Sequence, residues 1–110
     1  MSTLRNKVQL IGNLGNDPEI VNLESGTKLA KFSIATNETY KNNKGERVTD
    51  TQWHNVVAWG KIADIIENYV TKGKEVAIEG KLTSRSYETK QGEKRYITEV
   101  LCDELLMLGK

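Results

Sequence analysis

Residues Thr51–Lys61, TQWHNVVAWGK, hold both tryptophans of this 110-residue chain. Successive side chains of a strand point to opposite faces. Trp53, Asn55, Val57 and Trp59 therefore share one face, and His54, Val56, Ala58 and Gly60 the other. Flat rings spaced along an exposed strand can each carry a stacked nucleobase; the same two rings could equally fill a core. A second strand-period segment groups Lys81, Thr83, Arg85 and Tyr87 against Val76, Ile78, Gly80 and Leu82, and the apolar set is the expected core. A ring beside cations suits a single strand, because bases stack on the ring while cations follow the phosphates. Taken alone, such a face is also what any solvated strand presents. Tyr40 opens a polar stretch that carries Lys41, Lys44 and Arg47. No one of these groups decides the matter; their co-occurrence points to a polyanion held by stacking.

Other chemistries lack an inventory. One His and one Cys cannot make a His/Cys zinc set, so no metal or other cofactor is expected. Nothing in the spacing suggests a Ser-His-Asp arrangement, and the scattered Asp and Glu form no evident pair for a divalent-metal nuclease. GNLGND, Gly12–Asp17, lacks the G-x-G-x-x-G spacing and precedes no helix, so it reads as a strand end and turn. Cys102 sits among apolar residues as a buried, inert thiol. The absence of a disulfide pair, a signal-peptide pattern or a membrane-length apolar run suggests the reducing cytoplasm. A net charge of +1 is low for a binder acting by charge alone, so any polyanion site must use local clustering or stacking.

The elements that must position these residues are mostly strands, in one domain spanning 1–110. Arg5–Leu14 alternates, with Val8, Leu10, Gly12 and Leu14 on one side. Gly15–Pro18 is a turn, Ile20–Leu23 a short extended piece, and Ser25-Gly26 another turn. Lys28–Asn37 alternates, with Ala30, Phe32, Ile34 and Thr36 against Leu29, Lys31, Ser33 and Ala35. Lys41–Asp50 is charged and reads as an exposed loop or hairpin tip. Ile62–Lys72 changes period: Ile62, Ile65, Ile66, Tyr69 and Val70 make a helical stripe, with Lys72 in the last turn and Gly73 suited to the position after it. Glu75–Thr89, a turn at Lys90–Glu93, and Lys94–Leu108 complete the chain. Three strands, a helix and two strands suit an all-β, five-stranded oligonucleotide-binding barrel. An open antiparallel sheet with the helix on one face is the competitor, and periodicity does not separate the two.

NKVQLIGNLGNDPE (Asn6–Glu19), FSIATNETY (Phe32–Tyr40), WHNVVAWGK (Trp53–Lys61), YVTKGKEVAIEGKL (Tyr69–Leu82) and RYITEV (Arg95–Val100) stand in an order and spacing that resembles the bacterial-type single-stranded DNA-binding proteins. The resemblance covers nearly the whole chain. It implies an oligonucleotide-binding barrel, assembled as a homotetramer with DNA wrapped around it. It also implies base stacking on Tyr40, Trp53, Trp59 and Tyr87; the family commonly has Trp or Phe there, so the two Tyr depart mildly. Lys61, Lys72, Arg85 and Arg95 fall on basic positions, whereas Asn55 and Ser86 stand where cations are frequent. His54 matches a histidine near the family's subunit interface, though a lone strand His is otherwise most simply a packed, satisfied residue.

The resemblance further implies protection of single strands during replication, recombination and repair, without catalysis, in the cytoplasm around the nucleoid. Relatives usually continue into a flexible tail ending in acidic and hydrophobic residues that recruits replication and repair proteins. The chain stops at Leu108-Gly109-Lys110, so no such tail motif is expected to act here. A primosome-type accessory single-strand binder is the nearest alternative, and a barrel-fold nuclease a more distant one.

Overall fold

The computed structural model describes residues 4–108. A short 3-10 turn, Leu4–Asn6, precedes β1 (Val8–Leu14), β2 (Glu19–Asn22), β3 (Lys28–Lys41) and β4 (Arg47–Trp59). Helix α1 (Lys61–Tyr69), β5 (Glu75–Glu88) and β6 (Lys94–Met107) follow. The pairing runs β1-β5-β6-β4-β3 and returns to β1. Two contacts close the ring. Val56 and Val57 of β4 run parallel to Val100 and Leu101 of β6. Asn13 and Leu14 at the end of β1 cross to Ala35 and Ile34 of β3. These pairings decide for the five-stranded barrel over the open sheet, with β2 a short strand added outside β3.

Alternation then sorts the side chains. Ala30, Phe32 and Ile34 of β3, Val56 and Ala58 of β4, Val76 and Ile78 of β5, and Val100 and Cys102 of β6 turn inward into one core. Helix α1 adds Ala63 and Ile66, both fully buried. Closing so few strands demands close backbone approaches. A Cβ on Gly12 would overlap the carbonyl oxygen of Ala35, and one on Gly80 that of Leu101. Gly80 also follows a register shift between β5 and β6. Glycine is needed at both positions because two strands meet there with no space for a side chain.

Several boundaries differ from the sequence expectations, each for a local reason. Leu82 is not core: it is half exposed, because β1 accompanies β5 only as far as Val8 opposite Gly80. Past Leu82 and its partner Val100, the last core residue on this side, β5 and β6 continue as a two-stranded arm with no core beneath. The stretch Lys41–Asp50 is a hairpin tip, as one of the two expectations had it, but half of it is strand, since β3 runs to Lys41 and β4 begins at Arg47. Its polarity reflects a second arm solvated on both faces. Only Asn42–Glu46 turns, and the Asn42 side-chain oxygen accepts from the N–H groups of Lys44 and Glu46. The helix ends at Tyr69. Val70 is already extended and almost fully buried, so Lys72 lies beyond the helix. Gly73, at φ 86°, bends the following turn and donates its N–H to the Leu14 carbonyl.

Cys102 is buried as expected, its thiol donating to the Glu104 carbonyl at 3.1 Å. Burial pushes the thiol up from 9.0 to about 11. The native thiol thus ionises at higher pH than the unfolded one. The stability this provides is intact below about pH 9 and is lost as pH rises towards 11. A thiol reagent at pH 8 is expected to leave the native protein unmodified and to label it fully once denatured. Labelling of the native protein at the denatured rate would contradict that burial. Gly12→Ala should lower stability by about 3 kcal/mol, since closure leaves no space for the methyl group. A thermal midpoint unchanged by that substitution would show that the barrel does not depend on this approach.

Candidate nucleic-acid interface

The outer face of β4 carries Trp53, Asn55, Val57 and Trp59. The rings are 61% and 44% exposed, whereas Val57 between them is buried. Six residues of extended chain put the two rings roughly 20 Å apart along the strand. Register with β3 completes this surface: Ala35 stands opposite Trp53, Ser33 opposite Asn55, Lys31 opposite Val57 and Leu29 opposite Trp59. The turn after β1 supports the Trp53 end. A Cβ on Gly15 would overlap the Trp53 ring. The same turn is tied to β3, because the Ser33 hydroxyl donates to the Asn16 side-chain oxygen at 2.9 Å and the Gly15 N–H to the Ser33 carbonyl at 3.1 Å.

The β5–β6 ribbon supplies a facing surface. Thr83 stands opposite Glu99, Arg85 opposite Ile97 and Tyr87 opposite Arg95, all on one side of the ribbon. Between the two surfaces lies a recess of about 260 Å³ bordered by Asn16, Glu19, Lys31, Asn55, Arg85 and Glu99. A second recess of about 440 Å³ shares Lys31, Arg85 and Glu99 and reaches Trp59. Together they make a groove with Trp59 on one wall and the arm bearing Tyr87 continuing from the other.

Arg85 enters this groove already paired. Its Nε donates to Glu99 Oε1 at 3.0 Å and its Nη2 to Oε2 at 3.4 Å. Glu99 is 7% exposed, the one buried charged side chain among the described residues. The hydrogen bond that Arg85 donates to the Glu99 carboxylate, together with that group's negative charge, holds the guanidinium proton more tightly than usual. Arg95 lies 3.6 Å from Glu93 at the arm's tip, where both groups are solvated.

Of the residues singled out in the sequence, Trp53, Trp59 and Arg85 line one continuous surface, with Tyr87 and Arg95 further along its arm. Tyr40 does not join them. It is exposed but pairs with Val48, which puts it on the opposite ribbon face from Trp53. Lys61 is exposed as the first residue of α1, immediately after the strand of Trp59. Lys72 is reached through the turn: its backbone N–H donates to the Asp17 carboxylate at 2.8 Å, two residues from the Gly15 beneath Trp53. His54 lies on the Tyr40 side, partly buried and 3.0 Å from the Thr36 hydroxyl, a packed and satisfied residue. Sequence reasoning missed Lys31, Glu99, Asn16 and Gly15 as parts of the site. It also missed Tyr96, 73% exposed on the other face of the β5–β6 arm. Parity places Lys31 on one face of β3, but only the register with β4 makes that the tryptophan face.

Comparison with known proteins agrees with this geometry. A model of the single-strand binding protein family matches residues 5–108. Single-stranded DNA-binding protein 1 of Chlorobaculum tepidum is 49% identical over 105 residues, covering 94% of this chain and 65% of that protein. Single-stranded DNA-binding protein 1 of Xylella fastidiosa is 44% identical over 106 residues, covering 96% of this chain and 78% of that protein. The chain thus spans just under two thirds of the first of these relatives. A Plasmodium falciparum SSB solved in complex with ssDNA superposes with a TM-score of 0.89 at 35% identity, covering 99% of both chains.

The support of Trp53 by Gly15 is testable by spectroscopy. In a Trp59→Phe background, where Trp53 is the sole tryptophan, Gly15→Ala should shift emission and raise acrylamide quenching. The thermal midpoint should move by only a few degrees, because an exposed ring can yield where backbone cannot. Unchanged emission would show that the ring does not rest on this turn.

Proposed function

The chain belongs to the single-strand binding protein family, and we propose that it binds single-stranded DNA with little sequence preference, by stacking on aromatic rings and contact with phosphates. The observation that carries this reading is the outer face of β4. A folded domain that leaves both of its tryptophans largely exposed on one strand, beside a groove holding cations, has a surface suited to unpaired bases. Trp53 and Trp59 are the central platforms and Tyr87 extends the path onto the β5–β6 arm. Tyr40, on the other face of its ribbon, serves DNA only where the strand passes around the β3–β4 arm. Lys61, Lys72, Arg85 and Arg95 follow the phosphates. The role is binding, in protection of single strands during replication, recombination and repair around the nucleoid.

Assembly as a homotetramer belongs to the same proposal. Ile11 and Leu106 flank Ala77 in one row across β1, β5 and β6, and both are more than half exposed. An apolar row of this kind on a domain this small supports burial against another copy of the chain. The family resemblance supports a position for His54 near a contact between copies of the chain. Wrapping one strand over four barrels makes long DNA bind more tightly than short DNA through effective concentration.

Stacking is worth roughly 1–3 kcal/mol per base, so Trp59→Ala should weaken oligo-dT binding about tenfold or more while leaving the fold intact. Loss of folding with normal affinity per folded molecule would instead make Trp59 a structural residue. Light scattering of the unmutated protein is expected to give the mass of four chains; a monomer at micromolar concentration would remove the assembly.

A further inference from the structure

The groove contains more opposite charge than a polyanion site needs. Glu99 is a carboxylate on its buried floor, and both its oxygens are held by Arg85. Glu99 and Arg85 are diagonal neighbours on one face of the β5–β6 ribbon, since Glu99 stands opposite Thr83 and Arg85 opposite Ile97. The pair enters the groove with no net charge. Nε and one Nη2 donor of the guanidinium are already used, leaving fewer donors for a phosphate. Half-buried Lys31 borders both recesses beside this pair, on the tryptophan face of the β3–β4 ribbon. Glu19 stands opposite it on β2, yet Lys31 forms no ion pair among the described residues.

We propose that Glu99 is an affinity-limiting residue that cancels the charge of Arg85 in the groove, and that Lys31 supplies the groove's uncompensated cation for a phosphate of the single strand. This rests on the reading of the groove as the path of single-stranded DNA. A phosphate approaching Arg85 must compete with a carboxylate already fixed in bidentate geometry, so the contact releases little net counterion. Lys31 has no carboxylate fixed on it: Glu19 borders the same recess but forms no ion pair with it. Stacking on Trp59 proceeds regardless, which leaves the strand held by rings and only lightly by charge. A binder that must later give up its DNA gains from that balance, because stacked bases can peel away one at a time.

The test is fluorescence-anisotropy titration with labelled oligo-dT at several salt concentrations, using the full chain and variants checked for folding by thermal melting. Glu99→Gln keeps the shape and removes the charge. It should tighten binding at low salt roughly three- to fivefold. The slope of log affinity against log salt should steepen by roughly 0.7, the value for one further phosphate on a single strand. Glu99→Met, which fills a similar volume without a polar atom, should do the same and stands in should the first variant not fold. Lys31→Gln should make the slope shallower by a similar amount. Weaker binding or an unchanged slope in the Glu99 variants would overturn the inference, and would mean that Glu99 only orients Arg85. An unchanged slope in Lys31→Gln would remove Lys31 from the site. Absence of oligo-dT binding by the unmutated protein would instead defeat the single-strand reading itself.

Discussion

Barrel closure is the constraint from which the rest follows. One sheet must curl until the end of β1 reaches β3, and it does so where Gly12 meets the backbone of Ala35 with no side chain between them. Once the ring is closed, strand alternation admits no compromise. Every second residue of β4 is committed to the core through Val56 and Ala58, so Trp53, Asn55 and Trp59 must face outward whatever their hydrophobicity. A one-residue slip would drive two indoles into a core already filled by Phe32, Ile34 and Ile66. The exposed aromatics are therefore a consequence of register. Their exposure is sustained by the burial of their neighbours, which offsets the cost of leaving large apolar surface in water.

Closure also separates two kinds of strand. Within the barrel, β3, β4, β5 and β6 have one apolar face. Beyond it they continue as two-stranded arms, solvated on both faces. The arms carry Tyr40, Tyr87 and Tyr96 clear of the core. Short ribbons of this kind are marginal alone and are held here by their continuity with the barrel. They extend the reach of the domain without enlarging its core, a useful economy for a chain that must meet a flexible polymer. The groove between the β4 face and the β5–β6 face exists because these ribbons diverge as they leave the parallel contact at Val56 and Val100.

Much of this was legible in the residues. Period-two alternation sorted β3 and β4 into two faces and picked out Val76 and Ile78 of β5 as core, and the three- and four-residue spacing of Ile62, Ile65, Ile66 and Tyr69 located α1. Parity put Trp53 and Trp59 on one face and left open whether that face was core; the burial of Val56 and Ala58 makes it the outer one. What failed was whatever depends on a neighbouring strand. Leu82 has the right parity for the core, but β1 stops short of it, and no local pattern records where a partner ends. Lys41–Asp50 was legible as a loop or hairpin tip, but not how far the strands run into it, because an arm without a core beneath it loses the alternation that marks a strand. Tyr40 was joined to the tryptophans by the resemblance alone, and the ribbon face it occupies, opposite theirs, is set by a register the sequence does not record. Lys31 and Glu99 meet across the groove from β3 and β6, 68 positions apart in sequence by subtraction of their numbers. Only topology brings them together.

The most direct measurement of the central claim is the intrinsic tryptophan emission of the unmutated protein during titration with oligo-dT, run beside an independent binding signal such as the anisotropy of a labelled strand. Both indoles lie on the proposed contact face and none lies in the core. Stacked bases should quench the emission, and the quenching should saturate at the same stoichiometry as the anisotropy. Saturable binding by anisotropy with unchanged tryptophan emission would contradict the account, because DNA would then be held somewhere other than the outer face of β4.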